Sequence, residues 1–434
     1  MGSWERMGRQ RNTNGGVIGL DVGTTKICVV TGQTSNDGVS VTSARTFPST
    51  GLRKGVVIDA DAAADAIRRA ISETVQSGDR SLSVCVGIAG SHIKSISSEG
   101  GTNLKGKKVT SQDIAMALDA ASAAYVPQDR EILHVLPTDF ILDGQGGIKD
   151  PVGLAGMRLD VKVTVVTGAV AAVQNLLKAC SNAGITISDI VLQPIASAEA
   201  TLTARERSQG VALVDIGGGT TDIAVYRDGW LVKTAVLGIG GNHFTNDLSV
   251  GLEVSFPEAE RIKKMFGSVS CDERQEKRPI KVALANGHVK TISAKDISSI
   301  IQPRAEETLE LVMKEIDEVR FSGADISQTV LTGGSSLLSG LEPYAAAVLR
   351  MPVRIGYPEV SVPDPSVVAR SSERRRVRSQ APELSHPMYA TGIGLVLYTA
   401  ESQEQTAELG DPSQMFQRIA ATMSGWFKNF LGKR

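Results

Sequence analysis

Two apolar runs in this chain break off in the same way. GVIGLDVGTTKICVV begins at Gly16 and GVALVDIGGGTTDIAVY begins at Gly210. In each, a β-branched run closes on Asp-x-Gly, Gly and Thr residues follow, and a second β-branched run resumes. That pattern predicts strand, tight turn, strand. The aligned Asp21 and Asp215 lie 194 residues apart, too far for a solenoid repeat. The spacing predicts two domains of similar build, each opening on the same hairpin. Helical spacing appears elsewhere. KKVTSQDIAMALDAASAA (107–124) follows a Thr/Ser start, and PEAERIKKMFG reads as a short helix. Residues 293–319 repeat Ile297, Ile300, Ile301, Leu309, Val312, Met313 and Ile316 at helix spacing, with Pro303 expected to kink the helix or open a new one. VLTGGSSLLSGL, Val330 to Leu341, predicts a strand running into Gly333–Gly334 and then a Ser-started amphipathic helix.

Composition narrows the function classes. At 434 residues the chain should hold two or more domains. Its 46 Lys+Arg balance 47 Asp+Glu, which excludes a globally basic nucleic-acid coat. Cys28, Cys85, Cys180 and Cys271 are scattered, without ligand spacing, so neither a zinc site nor a disulfide framework is expected. No apolar run is long enough to span a membrane. The polar N-terminus lacks the apolar stretch of a signal peptide and predicts a disordered lead-in over residues 1–14.

The turns carry specific chemistry. Glycines let consecutive backbone N–H groups approach an anion, and Thr24, Thr25, Thr220 and Thr221 add hydroxyl donors. An Asp at the end of each first strand would repel a bare phosphate, but suits a divalent cation held through water. Two such hairpins face to face would clamp a polyphosphate with Mg²⁺; either one alone reads equally as an ordinary glycine-rich turn. A Gly-Gly pair at 333–334 lets a flat base and ribose lie on the backbone. GTNLKGKK (101–108) nearly matches a P-loop, but Lys108 stands where the metal-binding hydroxyl is needed. It reads as a basic surface loop.

These three pieces, in this order, resemble the phosphate-1, phosphate-2 and adenosine motifs of the actin/sugar-kinase/heat-shock-70 ATPase superfamily. Within it the chain is most similar to the FtsA family of bacterial division proteins. GLRKGVVID, VGIAGSHIKS, HVLPTDFILDGQGGIKDPVGLAGMRL and VLQPIASAEATL look like that family's blocks. The resemblance implies an α/β fold, the actin-like two-domain ATPase fold, with an inserted α+β subdomain in the first half and a C-terminal amphipathic helix. Implied boundaries are 15–97 with 178–207 for the first subdomain, 98–177 for the insertion, 208–271 with 320–400 for the second, and 272–319 for a small subdomain. By the same resemblance, ATP and Mg²⁺ would be the cofactors. Asp21 and Asp215 would face the metal. Gly23, Thr24, Thr25, Gly217, Gly218, Gly219 and Thr220 would line the phosphates. Lys26 would reach the β- or γ-phosphate or point to solvent. Gly240, Gly241 and Asn242 would start a turn near the nucleotide. Glu260 and Lys263 would touch ribose and base, although an exposed helix face gives the same pattern. Gly333 and Gly334 would touch adenosine. Gln193 would position a water, with Asp215 acting through water, so ATP binding with slow turnover is implied.

The tail divides by charge. Residues 401–411 are acidic and carry no positive side chain; 412–434 are basic and carry no acidic one. Met415, Ile419, Met423, Phe427 and Phe430 follow helix spacing, with Phe416, Trp426 and Leu431 beside them. An acidic linker over 401–412 and a helix over 413–434 lying in a bilayer interface are predicted, against a terminal helix packed on the body. A loop over 357–388 holds Arg370, Arg374, Arg375, Arg376 and Arg378, and reads as a solvated insertion, a lipid-facing patch or a dock for an acidic partner. The family resemblance implies a polymerising adaptor on the cytoplasmic side of the inner membrane, at the division site. Its partners would be the FtsZ C-terminal peptide, docked at Arg304 and Glu307, anionic lipid, further copies of the chain and other division proteins, with no nucleic acid. A sugar-kinase-like phosphotransferase or a pilus-assembly actin relative is the alternative.

Overall fold

A computed structural model describes residues 16–35, 38–75, 83–123, 126–270, 279–284, 287–323, 325–359 and 384–408. The N-terminal segment, Cys271, the five arginines and the tail residues Met415, Phe416, Ile419, Met423, Trp426, Phe427, Phe430 and Leu431 lie outside the described residues.

The first predicted hairpin is β1 (Gly16–Val22) and β2 (Lys26–Ser35). It continues into β3 (Gly38–Pro48), a two-residue-per-strand hairpin β4 (Leu52–Arg53) and β5 (Val56–Val57), helix α1 (Ala60–Thr74) and β6 (Ser83–Ile88). Asp59 starts α1 by accepting from the N–H groups of Asp61 and Ala62. The chain then enters a second sheet: β7 (Lys94–Asn103), α2 (Ser111–Ser122), β8 (Arg130–Leu142), β9 (Gln145–Ile148) and β10 (Arg158–Ala169). α2 starts at the predicted Thr110, which forms a capping box with Asp113. The four strands pair in the order β7-β10-β8-β9 and share a core with α2, built on Ile114, Leu118, Phe140, Leu159 and Val161. The loop Lys105–Lys108 is exposed at the rim of this unit, as expected for a basic surface loop.

Helix α3 (Val170–Asn182), strand β11 (Ile187–Leu192), helix α4 (Gln193–Thr201) and α5 (Ala204–Gln209) return the chain to the first sheet. The second half repeats the plan with β12 (Val211–Ile216), β13 (Thr221–Arg227) and β14 (Trp230–Leu237). After α6 (Gly241–Leu252) and α7 (Phe256–Phe266) come a hairpin, β15 (Pro279–Ala283) and β16 (Val289–Ser293), and the long α8 (Ala294–Phe321). β17 (Gln328–Thr332), α9 (Leu341–Leu349), β18 (Val353–Ile355) and α10 (Ala390–Glu408) complete it. One five-stranded sheet runs β11-β6-β1-β2-β3 and the other β14-β13-β12-β17-β18. In both, the first strand pairs antiparallel with the hairpin's second strand and parallel with a later one. The repeat read from two hairpins is thus a repeat of whole sheets.

Three expectations are corrected. Pro303 opens no new helix: α8 runs through it, from a capping box at Ser293. A proline inside a helix removes one hydrogen bond and costs about 3 kcal/mol. The buried stripe of Ile297, Ile301, Leu309, Val312 and Ile316 spans both sides of it and offsets that loss. After Gly333 the chain makes only a 3₁₀ turn, Gly334–Leu337. The helix proper, α9, starts only after Gly340, which sits at φ +76°. Finally, residues 401–408 of the expected linker continue α10, since Ala, Glu and Gln favour helix and no Gly or Pro intervenes before Gly410.

α10 packs on α4 through missing side chains. A Cβ at Gly394 would stand 1.7 Å from the Ala196 carbonyl oxygen, and one at Gly392 would stand 2.7 Å from Val30. Gly394→Ala is therefore expected to force the two helices apart and lower stability by about 3 kcal/mol, the upper range for overpacking. Denaturant unfolding checks this; a variant as stable as the parent would contradict the close approach.

Candidate functional site

The two hairpin turns face each other across a cleft between the halves. Gly23 and Gly217 close their turns by donating to the Lys26 and Thr220 carbonyls at 3.0 and 2.9 Å. The tips are nearly in contact. A Cβ at Gly218 would lie 2.3 Å from Thr25 Oγ1, and one at Gly219 would lie 2.4 Å from Thr24 Oγ1. Glycine is required here by the approach of the opposite hydroxyls. Gly333, at φ +84°, enters from β17; a Cβ there would stand 2.3 Å from Asp215 Oδ1. The cleft collects Asp21, Gly23, Thr24, Thr25, Lys26, Gln193, Asp215, Gly217, Gly218, Gly219, Thr220, Gly333 and Gly334, all named from the sequence.

Helix α4 holds both aspartates. Gln193 Nε2 donates to Asp21 Oδ1 at 2.9 Å, and Ser197 Oγ donates to Asp215 Oδ2 at 2.7 Å. Residues four apart lie on one helix face, so a single turn of α4 reaches one carboxylate from each half. Thr391 Oγ1 of α10 also donates to Asp215 Oδ2, at 3.2 Å. Lys26 points into the cleft, not to solvent: its Nζ donates to the Met388 carbonyl and lies 3.9 Å from Asp21 Oδ2.

Sequence reasoning missed Asp222, Ser197, Gly55, Met388 and Thr391. Asp222 sits directly opposite Asp215 in the β12–β13 register. Its signal was present: a carboxylate two residues past the GGGT turn, inside a β-branched strand. It is buried, accepts from Thr220 Oγ1 at 3.0 Å, and leaves Oδ1 without a hydrogen-bond partner. Burial, then repulsion from Asp215, pushes its pKa up to about 8. Burial likewise raises Asp21 to about 6, partly offset by Lys26, and raises Asp215 against its two hydroxyl donors. Among the described residues, no three carboxylate, His or Cys side chains converge as direct ligands for a metal. A row of desolvated carboxylates with one orphaned oxygen fits a hydrated cation contacted through its water.

The remaining sequence candidates back the cleft or lie elsewhere. Gly241 and Asn242 N–H donate to the Gly217 and Gly218 carbonyls at 2.9 and 2.8 Å, and a Cβ at Gly240 would meet the Gly217 carbonyl at 2.8 Å. They support the second turn from behind. Lys263 Nζ donates to the Gly241 carbonyl at 3.0 Å and to Thr245 Oγ1 at 2.8 Å, and pairs with Glu260 at 2.7 Å. These two side chains are built into a network beside the turn, not an idle exposed face. Arg304 lies on α8, outside the cleft. It forks onto Asp247 at 2.7 and 3.0 Å and also pairs with Glu307.

In magnesium-free buffer, native Asp222 keeps its proton to about pH 8, whereas the unfolded chain releases it near 3.8. Between those values the native state binds more protons, so stability falls as pH rises. Asp222→Asn should flatten the decline in thermal midpoint between pH 5 and 8, as followed by circular dichroism. Parallel profiles for parent and variant would show that Asp222 is not the titrating group.

Comparison with known proteins agrees with this architecture. Residues 212–394 match the family profile described as "Cell division protein FtsA", and residues 90–167 match that of the "SHS2 domain inserted in FTSA". The chain is 37% identical over 390 residues to the cell division protein FtsA of Pseudomonas aeruginosa, covering 89% of this chain and 90% of that one. It is 33% identical over 421 residues to that of Bacillus subtilis, covering 95% and 90%. Among solved structures, a "PilM-PilN type IV pilus biogenesis complex" chain superposes with a TM-score of 0.63 at 19% identity, covering 88% of this chain and 98% of that one. MreB5 of Spiroplasma citri bound to ADP superposes at 0.53 with 15% identity, covering 91% and 99%. The fold is actin-like, with the SHS2 unit inserted in its first half.

Proposed function

This chain belongs to the FtsA family of cell-division proteins, and on that premise we propose that it is a nucleotide-binding, self-associating adaptor that anchors FtsZ filaments to the inner face of the cytoplasmic membrane. One observation carries the nucleotide part: α4 fixes Asp21 and Asp215, one from each half, beside two apposed glycine-threonine turns. The turn tips, Thr24, Thr25, Gly218 and Gly219, are what a polyphosphate would meet. Gly333 and Gly334 offer flat backbone for the nucleoside. The fold neighbours support this reading, since MreB5 is described bound to ADP and to AMPPNP.

Asp21, Asp215 and Asp222 would hold a hydrated Mg²⁺, which neutralises phosphate charge when bound. Slow turnover follows from the side chains. The Gln193 amide is committed to Asp21 and so is not free to position a water, and carboxylates engaged by a cation are poor bases. Binding to the acidic FtsZ peptide would use Arg304, whose second carboxylate partner, Glu307, is exposed and replaceable. Among the described residues no helix is long and apolar enough to cross a membrane. Attachment is assigned to the amphipathic, basic sequence of residues 413–434.

Liposome flotation tests the adaptor, with ATP, Mg²⁺ and an FtsZ tail peptide present. The full chain should float with anionic vesicles and carry the peptide, while a chain ending at residue 412 should stay in solution. Equal flotation of both would remove the tether from this reading.

A further inference from the structure

The small hairpin β4–β5 carries, next to the cleft-lining Gly55, a lysine that the site above does not use. Its two-residue turn is Lys54–Gly55, with φ +49° and +76°. Such turns are made at lowest cost by Asn-Gly or Asp-Gly. A lysine in the left-handed region costs about 1 kcal/mol, so this side chain is placed at the tip against backbone preference. Gly55 N–H donates to Thr24 Oγ1 at 2.9 Å, which ties the tip to the first phosphate turn. A Cβ at Gly55 would lie 2.9 Å from the Ala89 carbonyl oxygen and from Gly90 Cα, so the hairpin is wedged in position.

From that tip Lys54 crosses to the other half. Its Nζ, Cδ and Cε lie 3.6, 3.7 and 4.0 Å from the position of a Cβ on Gly238. Gly238 follows β14 and precedes Gly240, which packs on the carbonyls of the second turn. Lys54 is exposed and forms no ion pair among the described residues. Lys26, the other cation at the turns, is already committed to the Met388 carbonyl and Asp21. The cleft therefore holds three carboxylates and one committed lysine, and beside it the backbone of the Lys54–Gly55 tip is tied to the first turn while the Lys54 ammonium lies against Gly238, next to the support of the second turn.

We propose that Lys54 is the cation that reads the terminal phosphate of a bound nucleoside triphosphate, and so links the occupied state to closure of the two halves. A lysine suits this as a point charge on a flexible stem, able to leave Gly238 for a phosphate held between Thr24 and Gly219. On this proposal the last phosphate of a triphosphate meets Lys54, and a diphosphate, one phosphate shorter, leaves it on Gly238. This inference rests on the nucleotide reading above.

Affinities for Mg·ATP and Mg·ADP, measured on the full chain by competition with a fluorescent analogue, test it in Lys54→Ala and Lys54→Arg. Lys54→Ala should weaken ATP by about 10- to 100-fold, the range of one charge-assisted hydrogen bond, and change ADP by less than about twofold. Lys54→Arg should recover most of the loss, with thermal midpoints unchanged in both. Equal losses for the two nucleotides, or none, would overturn the role of Lys54. If the parent chain binds neither nucleotide, the nucleotide reading itself falls, and the parent measurement alone reports it.

Discussion

One turn of helix α4 sets the geometry of the cleft. Gln193 and Ser197 each hydrogen-bond an aspartate, and those aspartates end the first strands of two different sheets. Burial makes both carboxylates resist ionisation, and the Asp215 charge adds to the effect at Asp21. They are kept in register by rigid donors: the amide and hydroxyl of α4, and Thr391 from α10. α10 reaches that position because Gly392 and Gly394 let it lie directly on β2 and α4. Loss of either glycine would move the donors before it touched the turns. The chain's near-neutral total charge conceals this: the charges that matter at the cleft are three acids, Asp21, Asp215 and Asp222, and Lys26 beside them.

The second consequence concerns the order of events when an anion enters. The turns are in near contact, Thr25 against Gly218 and Thr24 against Gly219, so a polyphosphate bound as proposed would part them. A cation among the three carboxylates relieves their repulsion at the same time.

Much of this was legible in the sequence, because the features concerned are local. Both hairpins, the α2 start at Thr110 and the apolar stripe of α8 come from runs whose period is visible over a dozen residues. The thirteen cleft residues named from the motifs do meet in one place. What escaped depends on distance along the chain. Lys26 and Met388 are 362 residues apart, and Ser197 and Thr391 are 194 apart. No pattern near Lys26 distinguishes solvent from a carbonyl that far away. Local rules left alternatives that packing decides, as at Pro303, where the helix continues and no new one opens, and they misplaced a helix start that lies after the left-handed Gly340. Asp222 was the avoidable miss, since an acid inside an apolar strand is costly unless it has work to do.

The central claim is that turns from both halves make one polyphosphate site under the control of α4. Hydrogen exchange on the full chain, with and without Mg·ATP, tests it directly. The account predicts slowed exchange together at residues 22–26, 193–197, 217–222 and 333–335. Protection confined to one half, or absent from 193–197, would contradict it.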